Sequence, residues 1–208
     1  MPIARGGGSD QYNVPMQVAA VRSLTGETLP ALREPVAGGA VLGYKPQMAI
    51  AAKSGALTVA LADPDATARL AVALAPLLRD GDVVALRGEL GTGKTAFARA
   101  LIRALTGSDE EVPSPAFTLV QTYAAPAFEI RHFDLYRLEK PEDAIELGIE
   151  DAMADGVTLI EWPERLGPWL PARCLDVRLA YADTETGRSA TLSGGGDWPE
   201  RLRDLDHG

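Results

Sequence analysis

The sequence predicts an α/β layered fold: a mostly parallel central sheet flanked by helices, with an antiparallel hairpin. Three observations predict it. Val83-Val84-Ala85-Leu86 and Val157-Thr158-Leu159-Ile160 are apolar runs of strand length without alternation, as in strands covered on both faces. Between such runs lie segments whose apolar residues recur at helical spacing. A glycine-rich turn joins the first run to one of these segments, and strands alternating with helices build a sheet with helices layered against it.

Taken in order, Leu57-Thr58-Val59-Ala60-Leu61 reads as a short strand. Asp63 can then cap a helix and Pro64 suits its first turn. Leu70, Leu74, Leu77 and Leu78 mark its buried face. Asp80-Gly81-Asp82 is a turn before the Val83–Leu86 strand. After the glycine-rich turn, Thr95–Leu105 is helical, with Phe97, Leu101 and Leu105 on one stripe and Gly107 ending it. Thr118–Tyr123 and Phe128–Phe133, separated by Ala-Ala-Pro-Ala, form the hairpin. Pro141–Leu147 is helical, Val157–Ile160 is a buried strand, and Leu175–Leu179 with Ala190–Leu192 closes the sheet as a pair.

Composition narrows the function class. The 208 residues carry 20 Lys+Arg against 29 Asp+Glu, a formal charge of −9. That balance argues against a protein that grips nucleic acid through its own basic surface, so no direct DNA binding is expected. No apolar run approaches the 18 or so residues needed to cross a bilayer. Cys174 is the single cysteine, which excludes an internal disulfide and a multi-cysteine metal cage. A soluble, cytoplasmic protein is the expectation.

The charge is uneven. Residues 1–56 hold three acids and five bases, a net +2 that leaves −11 on residues 57–208. They also hold 8 of the 21 glycines and 5 of the 15 prolines, which interrupt every helical or alternating pattern. Residues 1–56 are therefore expected to be a disordered extension, 57–195 the folded domain and 196–208 a C-terminal tail.

Gly88-Glu89-Leu90-Gly91-Thr92-Gly93-Lys94-Thr95 fits G-x-x-x-x-G-K-[ST] without departure, between a buried strand and an amphipathic helix. Glycines let successive backbone N–H groups turn inward on a polyphosphate, and the helix start adds its positive dipole end. Lys94 can reach the β and γ phosphates, and the Thr95 hydroxyl is placed for Mg²⁺. The fold implied is that of a P-loop NTPase.

Such a loop needs an acid on a neighbouring strand end. Glu161 is the first candidate, because the Val157–Ile160 run ends on it. Asp134 is the second: it follows Glu129–Phe133, which alternates and so reads as half exposed. His132 reads as a hydrogen-bonding strand residue or a catalyst. Ser114-Pro115-Ala116-Phe117-Thr118 is either a plain turn or a loop that senses the γ-phosphate. Trp162 is a packing residue or a contact for nucleotide or partner.

Four segments together carry a family resemblance. Gly88–Thr95 (GELGTGKT), Val112–Tyr123 (VPSPAFTLVQTY), His132–Leu138 (HFDLYRL) and Leu159–Glu164 (LIEWPE) resemble, in order and spacing, the TsaE/YjeE family. The resemblance covers about residues 57–195. It implies a P-loop ATPase that binds ATP/ADP and Mg²⁺. Its weak hydrolysis acts with TsaB and TsaD, which place threonylcarbamoyl on N6 of adenosine 37 in tRNA. The RNA is then met only through the complex. By this resemblance Thr95 and Glu161 are metal ligands, and Asp134 is the acid near the attacking water. Lys94, Asp134 and Glu161 are catalytic. The nucleotide-binding positions carried over are Thr67, Glu89, Leu90, Gly91, Thr92, Gly93, Lys94, Thr95, Ala96, Trp162 and Arg188. One departure stands out: the family reads Ser-Pro-Thr in the loop where this chain has Ala116.

Two rival functions fit the motif at this stage, a small-molecule kinase and a nucleotide-gated binding protein with incidental hydrolysis. Kinases of that type enclose the phosphoryl group under an arginine-rich lid, whereas residues 141–156 are acidic and contain no arginine.

Overall fold

The structure, a computed structural model, describes residues 50–53 and 56–206. Strands β1 (Ile50–Lys53) and β2 (Ala56–Leu61) form an antiparallel pair. Helix α1 (Pro64–Leu74) follows with Pro64 in its first turn, capped by the Asp63 carboxylate, which accepts the Ala66 N–H at 2.6 Å. It tightens into a 3-10 turn over Ala75–Leu77. β3 (Val83–Arg87) leads through the glycine-rich turn into α2 (Lys94–Thr106), which Gly107 ends in a left-handed conformation. β4 (Val120–Ala124) and β5 (Glu129–Asp134) are the hairpin. Two short helices, α3 (Asp143–Glu146) and α4 (Ile149–Ala154), precede β6 (Val157–Glu161). A kinked 3-10 segment, Pro163–Trp169, leads to β7 (Leu175–Tyr181) and β8 (Arg188–Gly194). Helices α5 (Trp198–Arg201) and α6 (Arg203–Asp206) end the described chain.

Among the described residues all eight strands belong to one sheet, in the order β1-β2-β8-β7-β3-β6-β5-β4. The four inner strands β7-β3-β6-β5 run parallel, as the unbroken apolar runs required. Antiparallel pairing extends beyond the expected hairpin: β1, β2 and β8 form an antiparallel wing on β7. Successive side chains of β3 point to opposite faces. Val84 and Leu86 join Leu70, Leu74, Phe97 and Leu101 in the core beneath α1 and α2. Val83 and Ala85 join Phe133, Ile149, Ile160 and Leu166 in a smaller core on the other face.

Three expectations change. Residues 1–49, 54 and 55 lie outside the described residues, but Ile50–Lys53 already pair with β2, so the sheet begins before Leu57. The segment from residue 196, expected as a tail, is docked on the body. Trp198 and Leu202 are buried in the larger core, and the Arg201 guanidinium stacks 3.6 Å from the Trp198 ring. The same guanidinium pairs with Asp82. Third, β5 is not half exposed at its end. His132, Phe133 and Asp134 are all buried, because β5 lies between β4 and β6 and is covered on both faces there.

Parallel pairing fixes the geometry that matters for function. Leu86 of β3 and Asp134 of β5 both lie in register with Glu161 of β6. The turn after β3 and the two candidate acids therefore emerge together at the carboxyl ends of these strands, where open parallel sheets bind ligands.

Candidate functional site

Gly88 leaves β3 with φ +140°, and a Cβ there would press into the carbonyl of Leu179 and the Thr92 hydroxyl. Gly93, at φ +102°, is the left-handed residue from which α2 starts. The loop braces itself: the Thr92 hydroxyl donates to the Glu89 carbonyl at 2.8 Å, and the Phe97 N–H closes the first helical bond on Gly93 at 2.9 Å. The other N–H groups of the first turn of α2 have no acceptor within the helix, which is what an anion needs.

Lys94 is buried. Its Nζ donates to the carbonyls of Gly88 (2.7 Å) and Glu89 (2.8 Å) and lies 3.8 Å from the centroid of the Trp162 ring. Burial pushes the ammonium below its ordinary value, against the pull of Glu161, Asp134 and Glu164.

Glu161, 2% exposed, is held at both oxygens. The Thr95 hydroxyl donates to Oε2 at 2.9 Å, and His132 Nε2 stands 3.0 Å from Oε1. Asp134 is buried beside it, with Oδ1 accepting the Tyr136 N–H at 3.0 Å. Burial raises its carboxyl above the usual carboxylate range, opposed by the Tyr136 hydrogen bond and assisted by the nearby Glu161. Trp162 takes a left-handed backbone, φ +58°, as the chain turns off β6. Its ring meets Tyr136 at 4.9 Å.

These groups converge on one cleft of about 320 Å³. Leu90, Gly91, Gly93, Lys94, Thr95 and Ala96 form one wall; Asp134, Tyr136, Glu161 and Trp162 form the other; Ser114 and Ala116 lie at its mouth. Glu89 and Thr92 line instead a neighbouring cleft of about 730 Å³, with Arg87, Glu164, Arg178 and Tyr181. Neither cleft is lined by Thr67 or Arg188. Thr67 is buried in α1. Arg188 stacks 4.5 Å from the Tyr181 ring, and Tyr181 donates its hydroxyl to the Leu90 carbonyl at 2.7 Å. Arg188 thus reaches the loop through a second residue. The Thr118 hydroxyl accepts from the Gln121 amide at 3.1 Å and does not line the cleft, so Ser114 is the loop hydroxyl there.

Sequence reasoning missed Tyr181, whose partner is a backbone carbonyl 91 positions away. It also missed the part played by Tyr136, although Tyr136 lies within the HFDLYRL segment.

The donor chemistry suits Mg²⁺. A hydroxyl and a carboxylate beside a phosphate loop are hard oxygen donors, and Mg²⁺ is commonly held by one or two such groups plus phosphates and water. Among the described residues, no group of three His, Cys, Asp or Glu could hold a metal without such help. No helix among them is long and apolar enough to cross a membrane.

The family described as "Threonylcarbamoyl adenosine biosynthesis protein TsaE" matches residues 61–190. A tRNA threonylcarbamoyladenosine biosynthesis protein TsaE of Rickettsia bellii is 43% identical over 119 residues, covering 57% of this chain and 83% of the relative. One from Nostoc sp. is 36% identical over 138 residues, covering 64% and 83%. Among solved structures, YdiB of Bacillus subtilis superposes with a TM-score of 0.63 at 27% identity, covering 73% of this chain and 95% of that one.

Proposed function

The chain belongs to the TsaE family, and on that premise we propose that it binds and hydrolyses ATP in the threonylcarbamoyladenosine modification of tRNA adenosine 37. It acts in the cytoplasm, in complex with TsaB and TsaD. The observation that carries this reading is the Thr95–Glu161 hydrogen bond, 2.9 Å between the last residue of the phosphate loop and the end of β6.

The backbone N–H groups of Gly91–Thr95 bind the phosphates, and Lys94 leaves the Gly88 and Glu89 carbonyls to meet the β and γ oxygens. Thr95 and Glu161 would hold Mg²⁺, which when bound would supply neutralisation of phosphate charge. Asp134 orients the attacking water and accepts its proton as the bond to the β–γ bridging oxygen breaks, giving ADP and phosphate. Its raised carboxyl value suits a base of modest strength.

Leu90 and Phe117 are exposed large apolar residues on the phosphate loop and the Ser114–Thr118 loop. Exposed apolar groups beside a site suit a partner that covers it. They support a reading in which hydrolysis is slow alone and faster in the complex. With an acidic body, the tRNA is reached through TsaB and TsaD.

The test is reconstitution of adenosine 37 modification with TsaB and TsaD, comparing the unaltered chain with Lys94→Ala. Modification that depends on the unaltered chain, and ATP turnover that rises with both partners, support the proposal. Equal modification with and without the protein overturns it.

A further inference from the structure

His132 is fully buried on β5, in register with Leu159 two residues before Glu161 on β6. Its Nε2 lies 3.0 Å from Glu161 Oε1. The other ring nitrogen, Nδ1, is buried without a hydrogen-bond partner. A proton on Nδ1 would be a buried donor with no acceptor, which bears the full penalty of its desolvation. The same proton on Nε2 is donated to a carboxylate. The geometry therefore selects one tautomer, with Nε2–H pointing at Glu161.

This has a consequence for the carboxylate. With Oε1 tied to the ring on the buried side, Oε2 is the oxygen turned toward the Thr95 hydroxyl. A free glutamate side chain loses rotamer entropy when it is immobilised. Here that ordering is already complete within the protein. We infer that His132 is a positioning residue that fixes Glu161 and thereby sets the affinity of the nucleotide site for a divalent cation. This inference rests on the reading of Glu161 as a metal ligand.

Partners in the outer shell of a metal site typically change affinity by about 10–100-fold when removed. His132→Leu removes the donor. His132→Gln keeps an N–H donor on a side chain of similar reach.

The experiment uses the full chain with ADP and Mn²⁺ as the probe, the free ion being counted by paramagnetic resonance. Mn²⁺ affinity is expected to fall about 10–100-fold in His132→Leu and to return most of the way in His132→Gln. ADP affinity in chelator is expected to be unchanged in both. Glu161→Gln separates the two layers of the argument. If it weakens Mn²⁺ binding while His132→Leu does not, the inference about His132 is overturned and Glu161 stands. If Glu161→Gln also has no effect, the ligand reading itself fails and the inference falls with it.

A second measurement covers a leucine variant that does not fold. The chain has two histidines, so His207→Gln leaves His132 as the only imidazole. Nitrogen-15 spectra should then show the proton on Nε2 and a bare Nδ1. A proton on Nδ1 overturns the inference.

Discussion

Lys94 Nζ lies 3.8 Å from the centre of the Trp162 ring while it donates to two carbonyls of its own loop. A buried contact of this kind is worth about 2 kcal/mol. It joins the start of α2 to the turn that ends β6, where Trp162 accepts a left-handed backbone.

If Lys94 meets the phosphates as proposed, its ammonium should leave the ring, and Trp162 emission should change on adding ADP. Trp162→Phe should remove most of that change. An unaltered emission response in this variant would place the signal elsewhere.

Lys94→Ala removes the ammonium proposed to meet the β and γ oxygens. Turnover is expected to fall at least about 10²-fold, the loss seen when a preorganised transition-state donor is removed. Circular dichroism should remain that of the parent, since the lysine packs against loop carbonyls and one ring.

Asp134 supplies a pH signature. Burial, the largest influence, raises its carboxyl, with Glu161 adding and the Tyr136 N–H, His132 and Lys94 opposing. The folded state then holds this proton more tightly than the unfolded chain. Stability attached to it is full below the unfolded value, about 4, and is lost as pH rises through the folded value. Asp134→Asn should therefore melt higher than the parent at pH 7, by on the order of 2 °C, with the gap closing toward pH 4. The same variant should lose about 10²-fold or more in turnover.

Ala116 lies at the mouth of the cleft, and its N–H reaches the Ser114 hydroxyl only at 3.4 Å. Ala116→Thr adds a hydroxyl there. Turnover is expected to rise about fivefold, the yield of one added hydrogen bond, with ADP affinity unchanged. A rate equal to the parent's would assign that loop hydroxyl no part in hydrolysis.

Arg201 tests the docked end of the chain. It pairs with Asp82, with Nη1 to Oδ1 at 3.1 Å, and stacks on the buried Trp198. Arg201→Ala leaves Asp82 without its main cation, a change expected to cost about 3 kcal/mol and lower the melting temperature by roughly 10 °C. ADP affinity below the transition should match the parent's, because none of these groups lines the nucleotide cleft.

The parts legible in the sequence were those encoded locally. Asp63-Pro64 set the start of α1, the unbroken Val83–Leu86 run marked a central strand, and the spacing from Gly88 to Thr95 marked the loop. Burial at the end of β5 was not legible, because alternation in Glu129–Phe133 describes a strand open on one face and cannot register the cover it receives beside Glu161. Tyr181 and Arg201 were silent for a related reason. Each acts on a partner about a hundred residues away, and no short window contains both ends. The docking of Trp198 was hidden because its helix, Trp198–Arg201, is too short to show a period.

The pairing of β5 with β6 places Asp134 opposite Glu161 through backbone hydrogen bonds. The distance between the two acids is thus independent of the length of the chain joining them, residues 135–156. Insertions in its exposed part, around Glu139 and Lys140, can reshape the surface without moving either acid. A single residue deleted inside β5 would turn Asp134 to the opposite face of the sheet. Drift is permitted in the connection and forbidden in the strand.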